Sequence, residues 1–193
     1  MATNQQIIQD LNELIATHLD SVDVLESALD GIVDSMFKVD AEQMLMDHRD
    51  AATWLQGRVR DLGGDPSTSS HAVNTLKQAW QKVWNGGTDR ERLQALRANE
   101  RVAVDGLQFT MTKENLLQTM SEEGVREHVK SLDMELAHFR LLTDRLRSMG
   151  IAVDNDEVIG AVRNAAEHIY AAVNLTGSAV ESFMKWATGG KSA

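Results

Sequence analysis

Apolar residues recur at helical spacing along most of the chain, interrupted by short polar and glycine-containing stretches. When each residue is turned by about 100°, these apolar residues fall on single stripes, as in amphipathic helices that bury one face. The pattern predicts a first helix over 5–36 and a second that follows Lys38-Val39-Asp40. Further long helices are expected over about 89–119, 123–149 and 156–188.

The predicted helices have recognisable end signals. The second ends at Leu62-Gly63-Gly64-Asp65-Pro66, because glycine adopts the left-handed conformation that closes a helix and proline cannot continue one. The Ser/Thr run 67–70 supplies an N-cap for a short helix. Thr88-Asp89-Arg90-Glu91 is a capping-box sequence for the next long helix, and Gly150 ends the one after it.

The lengths of the connections predict the topology. The first two long helices, and the next two, are joined by short turns, which favour antiparallel hairpins. About 25 residues, including the short helix, join the two hairpins, which is long enough to cross the length of a bundle. We therefore expect an all-α, ferritin-like four-helix bundle over residues 1–150. Residues 151–193 are expected to form a fifth, amphipathic helix with a short tail, packed on the bundle or on a partner subunit.

Composition supports this fold class and limits the partners. A single proline in 193 residues suits a chain made mostly of helices. With 29 acidic against 19 basic residues, the net charge of −10 disfavours nucleic-acid binding. The absence of cysteine fits a reducing compartment, and neither a leader pattern nor a long apolar run is found, so a cytoplasmic protein without membrane insertion is expected.

Several ionisable residues fall on or beside the apolar stripes, where an unpaired charge is costly. His48 and Glu100 lie near the middle of their stripes, Glu135 lies at the margin of its own, and His138 lies further round the same helix. A purely structural interpretation is that the histidines donate to a carbonyl or carboxylate in the core. Glu100 would then pair with an arginine, the candidates being Arg49, Arg97 and Arg147.

Height along the bundle is a second criterion, because each helical residue adds 1.5 Å. If the first two helices meet near residue 38, the four residues come to a similar level, and Glu26 lies at the matching level of the first helix. His18 and His128 also face inward, but by the same rise they lie roughly 10–15 Å lower. We therefore expect these two histidines to stay outside the group.

This arrangement is similar to a di-metal carboxylate site. Ferritin-like proteins of that kind use a Glu from each of two helices and Glu-x-x-His from each of the other two. Carboxylates bind ferrous or manganous ions and imidazoles complete their coordination. Leu45 occupies the position where the second helix would supply its glutamate, so the site is expected to be incomplete. The candidate metal ligands are Glu26, His48, Glu100, Glu135 and His138.

The Leu62-Gly63-Gly64-Asp65-Pro66 turn, followed by Ala79-Trp80 in the crossover and an acidic helix after a Gly-Gly-Thr-Asp stretch, resembles the bacterial ferritin-like DUF2383 family. The resemblance covers roughly residues 10–149 and implies a four-helix bundle. The first helix departs from the family's usual pattern, with Asp20-Ser21 and Leu25, and the helix after Gly150 is an addition.

Two functional interpretations follow. The first, which we prefer from the sequence, is a non-catalytic bundle that needs no cofactor and acts through association, as a homo-oligomer or with a helical protein partner. Phe183, Met184 and Trp186 near the end of the fifth helix would serve this contact. The alternative is a protein that binds iron or manganese, with weak ferrous oxidation or storage activity. No hydrolase, P-loop or dinucleotide motif is found, which disfavours an enzyme of those classes.

Overall fold

The computed structural model describes residues 4–69, 87–111 and 122–153, and this part of the chain is helical without strands. Its helices are α1 (Asn4–Leu29), α2 (Ser35–Asp61), α3 (Asp89–Met111) and α4 (Glu122–Ser148). The predicted crossover helix, the extension of α3 beyond Met111 and the predicted fifth helix lie outside the described residues. Among the described helices, none combines the length and apolar character that crossing a bilayer requires.

The first turn differs from the prediction of one helix over 5–36. Helix α1 ends at Leu29 and α2 begins at Ser35. Asp34 is the N-cap of α2, and its carboxylate accepts a hydrogen bond from the backbone N–H of Phe37 at 2.8 Å. Ile32 is buried in the turn, whereas Met36 is exposed. The apolar stripe continued through the turn, so periodicity alone concealed a boundary that the Asp34 cap determines.

The ends of α2 and α4 and the start of α3 agree with the sequence signals. Gly63 and Gly150 both have a φ of 77°, and each follows the last residues of its helix. The N–H of the next residue donates to the carbonyl five residues earlier, from Gly64 to Val59 and from Ile151 to Leu146. These are Schellman closures. At the start of α3, the predicted capping box is formed, with Thr88 N–H donating to Glu91 and Glu91 N–H donating back to Thr88 Oγ1.

Each helix packs against two others: α1 against α2 and α3, and α4 against α3 and α2. Side-chain contacts show the directions. Asn12 near the start of α1 accepts from the N–H of Ser67, just after α2, and Arg145 near the end of α4 donates to Asp40 near the start of α2. Asp89 at the start of α3 accepts from the N–H of Asp34, in the turn after α1. The packed neighbours are therefore antiparallel, and α2 runs in the same direction as α3.

The core consists of two apolar clusters stacked along the bundle. One contains Leu14, Leu55 and Leu136, and the other contains Leu25, Phe37 and Leu142, each with further apolar neighbours. In α1, α2 and α3, buried polar residues separate the positions that belong to the two clusters, and in α4 Glu135 and His138 lie among the last positions of the first cluster. This arrangement places a polar layer in the middle of an otherwise apolar bundle.

Candidate metal centre

The polar layer is formed by all four helices. Each contributes at least one fully or nearly fully buried ionisable side chain at this level: His18 from α1, His48 from α2, Glu100 from α3, and Glu135 with His138 from α4. The rings of His18 and His48 lie 5.4 Å apart between centroids, and those of His48 and His138 lie 5.7 Å apart. Three imidazoles and two carboxyl groups therefore share one desolvated space.

Glu100 bridges two of the imidazoles. His48 Nε2 donates to Glu100 Oε1 at 3.2 Å, and His138 Nδ1 donates to Glu100 Oε2 at 3.3 Å. Burial by itself would raise the pKa of Glu100, but the charge of His48 and the hydrogen bonds from both histidines outweigh it and hold that pKa well below its usual value. Glu100 is therefore an ionised acceptor in the centre of the bundle.

His138 extends this chain toward the surface. Its Nε2 donates to Asp47 Oδ2 at 2.9 Å, and Asp47 is partly exposed. Burial tends to lower the pKa of His138, but the hydrogen bonds and charges of Glu100 and Asp47 raise it above the usual value. His138 is thus held between two carboxylates, with both ring nitrogens engaged as donors.

Glu135 lies on the other side of His48. Its Oε1 is 3.2 Å from His48 Nδ1 and 3.4 Å from His18 Nδ1. Within the described part of the chain, neither oxygen of this fully buried carboxyl makes a well-aligned hydrogen bond. Burial, and next the neighbouring carboxylate of Glu100, raise the pKa of Glu135 well above its usual value. Glu135 is the least satisfied group in the layer.

His18 completes the deep end of the layer. Its Nδ1 lies 3.1 Å from His48 Nδ1, within hydrogen-bonding distance. Burial, followed by the charge of His48, lowers the pKa of His18 to about 3. The imidazole of His18 is therefore neutral at physiological pH and keeps a lone pair, as a metal ligand must.

The donor set has the composition of a metal site. His48, Glu100, Glu135 and His138 each offer one ligand atom, and these four atoms all lie within 4.8 Å of one another. Imidazole nitrogens with carboxylate oxygens suit ions such as Fe²⁺, Mn²⁺ and Zn²⁺, and the chain has no thiolate to offer a softer ion. The residues therefore fit a divalent first-row metal.

Glu26, the fifth candidate, is not brought to this group. Its side chain is half-exposed and forms an ion pair with Arg49.

Glu100 takes the two imidazoles as partners, while Arg97 donates to Thr143 Oγ1 and lies over the ring of Phe139. Arg147 donates to the carbonyl of Val153, so the three arginines considered as partners of Glu100 have other contacts in the structure.

His18 is the residue that the height argument wrongly set aside. With the turn at 30–34, the position on α1 that lies at the same height as His48 is close to His18. With a turn at 38, the position at that height would be about ten residues further along α1. The Asp34 cap was the signal that could have located the turn. His128 does lie elsewhere, with its ring edge-on to Trp54 at 5.7 Å between centroids.

A surface cavity of about 390 Å³ lies beside the polar layer, between α2 and α4. Asp47, Asp50, Trp54, His128 and Met134 are among the residues that line it. Because Asp47 also accepts from His138, one carboxylate links the cavity to the buried residues. Asp47 was not a candidate from the sequence, since it lies beside His48 and off the apolar stripe.

The fold and the site define a helical bundle with a buried histidine–carboxylate layer. The chain belongs to the family described as Domain of unknown function (DUF2383), whose match covers residues 6–113. This confirms the family predicted from the Gly-Gly-Asp-Pro turn. The match includes His18, His48 and Glu100 and ends before Glu135 and His138. No curated protein and no solved structure gave a significant match.

Proposed function

We propose that this protein binds a divalent transition-metal ion in the polar layer of a ferritin-like bundle. The observation that carries the proposal is the convergence of His48, Glu100, Glu135 and His138, with four potential ligand atoms within 4.8 Å and all four residues buried. Surface acidic groups often cluster without binding an ion. Two carboxyl groups and two imidazoles buried together from three helices are a much less common arrangement.

The energetics of burial support an ion at this place. A carboxylate removed from water is costly unless a hydrogen bond, a counter-ion or a metal compensates it. Glu100 has its imidazole partners, but Glu135 lacks a well-aligned hydrogen bond from the described residues. A cation bound to Glu135 would supply the missing compensation and let this carboxyl ionise.

The directions of the helices support the ferritin-like arrangement. The contacting helices are antiparallel and α2 runs with α3, so the connection between them has to return along the bundle. Two hairpins joined by one long crossover define that arrangement. We propose iron or manganese as the ion, because carboxylates make up a large part of the donor set. With iron, storage or slow oxidation of Fe²⁺ would be the activity to assay.

The test is the metal content of the full chain purified from cells grown with added iron or manganese. We expect close to one ion per chain, lost in a Glu100→Ala/Glu135→Ala double variant and retained in Glu26→Ala, whose carboxylate lies on the surface. Only trace metal in the wild-type protein, unchanged in the double variant, would contradict the proposal. Circular dichroism shows whether each variant keeps its helices.

An exposed apolar strip on α2 favours association as a second candidate function. Met36, Val39 and Met46 lie on one side of this helix and are between 55% and 72% exposed, and Val33 precedes them at 86%. Ile151 and Val153, the last apolar residues that the structure describes, pack on the apolar cluster that contains Phe37, at the end of the bundle where α2 begins. We propose that this strip receives the predicted fifth helix of a second copy.

Light scattering after size-exclusion chromatography tests this association in the full chain. We expect the wild-type chain to have the mass of a dimer and a Met36→Lys/Val39→Lys variant to have the mass of a monomer. Val102→Lys, at an exposed apolar residue of α3, is the matched control and should keep the wild-type mass. A monomeric wild-type protein would show that the strip does not hold a second copy.

A further inference from the structure

We infer that the ion is single and is bound by His18, His48 and Glu135, whereas Glu100 and His138 orient His48 from outside the coordination sphere. This inference rests on the proposed function and specifies its ligands. It adds a residue that lies outside the four-residue group and removes two members of that group from the ligand set.

The distances between the three proposed ligand atoms support this ligand set. His18 Nδ1, His48 Nδ1 and Glu135 Oε1 form a nearly equilateral triangle with sides of 3.1, 3.2 and 3.4 Å. The point equidistant from these three atoms is about 1.9 Å from each, so an ion slightly out of their plane has ordinary metal–nitrogen and metal–oxygen distances of about 2.0–2.2 Å. Two imidazoles and one carboxylate on one side of an ion, with open positions opposite, are a recognised ligand set for Fe²⁺.

The hydrogen bonds of His48 also support its role as a ligand through Nδ1. Nε2 of His48 faces the carboxylate of Glu100 at 3.2 Å and therefore carries the ring proton. In the neutral imidazole, the form that binds a metal, Nδ1 then has the lone pair, and it is Nδ1 that points toward His18 and Glu135. A ligating histidine that donates its other N–H to a carboxylate is the usual outer-shell arrangement in metal sites.

The contacts of His138 argue against its being a ligand. Both of its ring nitrogens face carboxylates, Nδ1 facing Glu100 at 3.3 Å and Nε2 facing Asp47 at 2.9 Å. Binding a metal through either nitrogen would break one of these two hydrogen bonds. His18 can bind an ion without losing a hydrogen bond to a carboxylate. Its Nε2 has no hydrogen-bond partner within the described residues, so Nε2 can carry the proton while Nδ1 binds the ion.

The number of buried carboxylates in the layer supports a single ion. Glu135 is the carboxyl available on the His18 side, whereas Glu100 is shared between two imidazoles. A second divalent ion would leave excess positive charge in a desolvated space, which is costly. The layer therefore balances one divalent cation.

The experiment is a titration of the metal-free full chain with Co²⁺ under anaerobic conditions, followed by calorimetry and by the visible absorption of the bound ion. Wild-type protein should bind one Co²⁺ per chain. His18→Gln and Glu135→Gln should weaken binding by well over about a hundredfold, and His138→Gln by about ten- to a hundredfold at most, as expected for a residue outside the coordination sphere. Glutamine is chosen for His138 because its amide can still donate to Glu100.

The His138→Gln variant is decisive even if His18→Gln fails to fold. Loss of binding in His138→Gln as complete as in Glu135→Gln would overturn the inference and favour the set of His48, Glu100, Glu135 and His138. Two bound Co²⁺ ions per chain would overturn the single-ion inference and leave metal binding intact. Failure of wild-type protein to bind Co²⁺, Fe²⁺ or Mn²⁺ would instead reject the proposed function itself.

Discussion

His48 and Glu100 face each other across the buried layer, with Nε2 of the imidazole 3.2 Å from Oε1 of the carboxylate and both side chains fully buried. Because an ionised carboxylate can only accept, this contact assigns the ring proton of His48 to Nε2. This contact therefore matters both for the stability of the buried core and for which ring nitrogen of His48 can bind an ion.

Removing Glu100 should destabilise the metal-free protein. Glu100→Ala leaves His48 and His138 without their shared acceptor, so we expect a loss of about 3 kcal/mol in the free energy of unfolding. Urea denaturation with a chelator present measures it. Glu26→Ala, which removes a carboxylate from an exposed ion pair, is the control and should cost less than about 1 kcal/mol. Equal losses in the two variants would mean that the buried contact contributes no more than a surface pair.

Asp47 should control how fast an ion reaches the layer. It lines the surface cavity and accepts from His138, so its negative charge lies on the route from the cavity to the buried ligands. Asp47→Asn should slow the uptake of Co²⁺ severalfold in stopped-flow absorbance while leaving one ion bound per chain, because the charge that attracts the cation is gone. Glu26→Gln removes a charge away from the cavity and should keep the wild-type rate. An unchanged rate in Asp47→Asn would indicate another route.

His128 should make the protein less stable in mild acid. Burial lowers the pKa of His128 to about 4, from an ordinary value of 6.5. Between these pH values the unfolded chain binds a proton that the folded chain does not, so stability falls as the pH decreases from about 6.5 to about 4, by up to about 1.4 kcal/mol per pH unit.

The measurement is urea denaturation at several pH values in the presence of a chelator. His128→Gln should have a shallower dependence than the wild-type protein over that interval, because glutamine does not titrate. Lys130→Gln changes an exposed side chain nearby on the same helix, and should leave the slope unchanged. Parallel curves for wild type and His128→Gln would show that His128 does not resist protonation.

Two glycines should respond oppositely to alanine. Gly150 closes α4 with a φ of 77°, so Gly150→Ala is expected to cost about 1 kcal/mol. Gly57 lies inside α2, and a methyl group there meets nothing within 4 Å. Gly57→Ala should therefore stabilise the protein by about 0.5–1 kcal/mol, the difference in helix propensity. Thermal unfolding of both variants tests the pair, and a shift of the same sign in both would contradict the expectation.

The apolar pattern and the capping residues were sufficient to predict the described helices. Thr88, Gly63 and Gly150 act through backbone hydrogen bonds within a few residues, so their effects are visible in the sequence. The stripe that runs through residues 30–34 was misleading, because Ile32 packs into the core from a turn that is otherwise largely exposed. Periodicity cannot distinguish a turn of this kind from a continuous helix.

The candidate site was partly predictable for the same reason. An ionisable residue in the middle of an apolar stripe has to find a partner, which identified His48 and Glu100 and pointed to Glu135. The heights of residues on different helices were harder to predict from the sequence. Moving the first turn by several residues shifts the residues of α1 and those of α2 in opposite directions along the bundle. His18 was set aside on that ground, although its Nδ1 lies 3.4 Å from Glu135.

The sequence by itself determined that this chain forms amphipathic helices, where α2 and α4 end, and that charged groups must be buried among them. Those properties follow from spacing and from local backbone chemistry. Only the tertiary structure decided which buried groups meet, because that depends on the register between helices. It paired Glu26 with Arg49 at the surface and brought His18 into contact with His48 and Glu135 in the core.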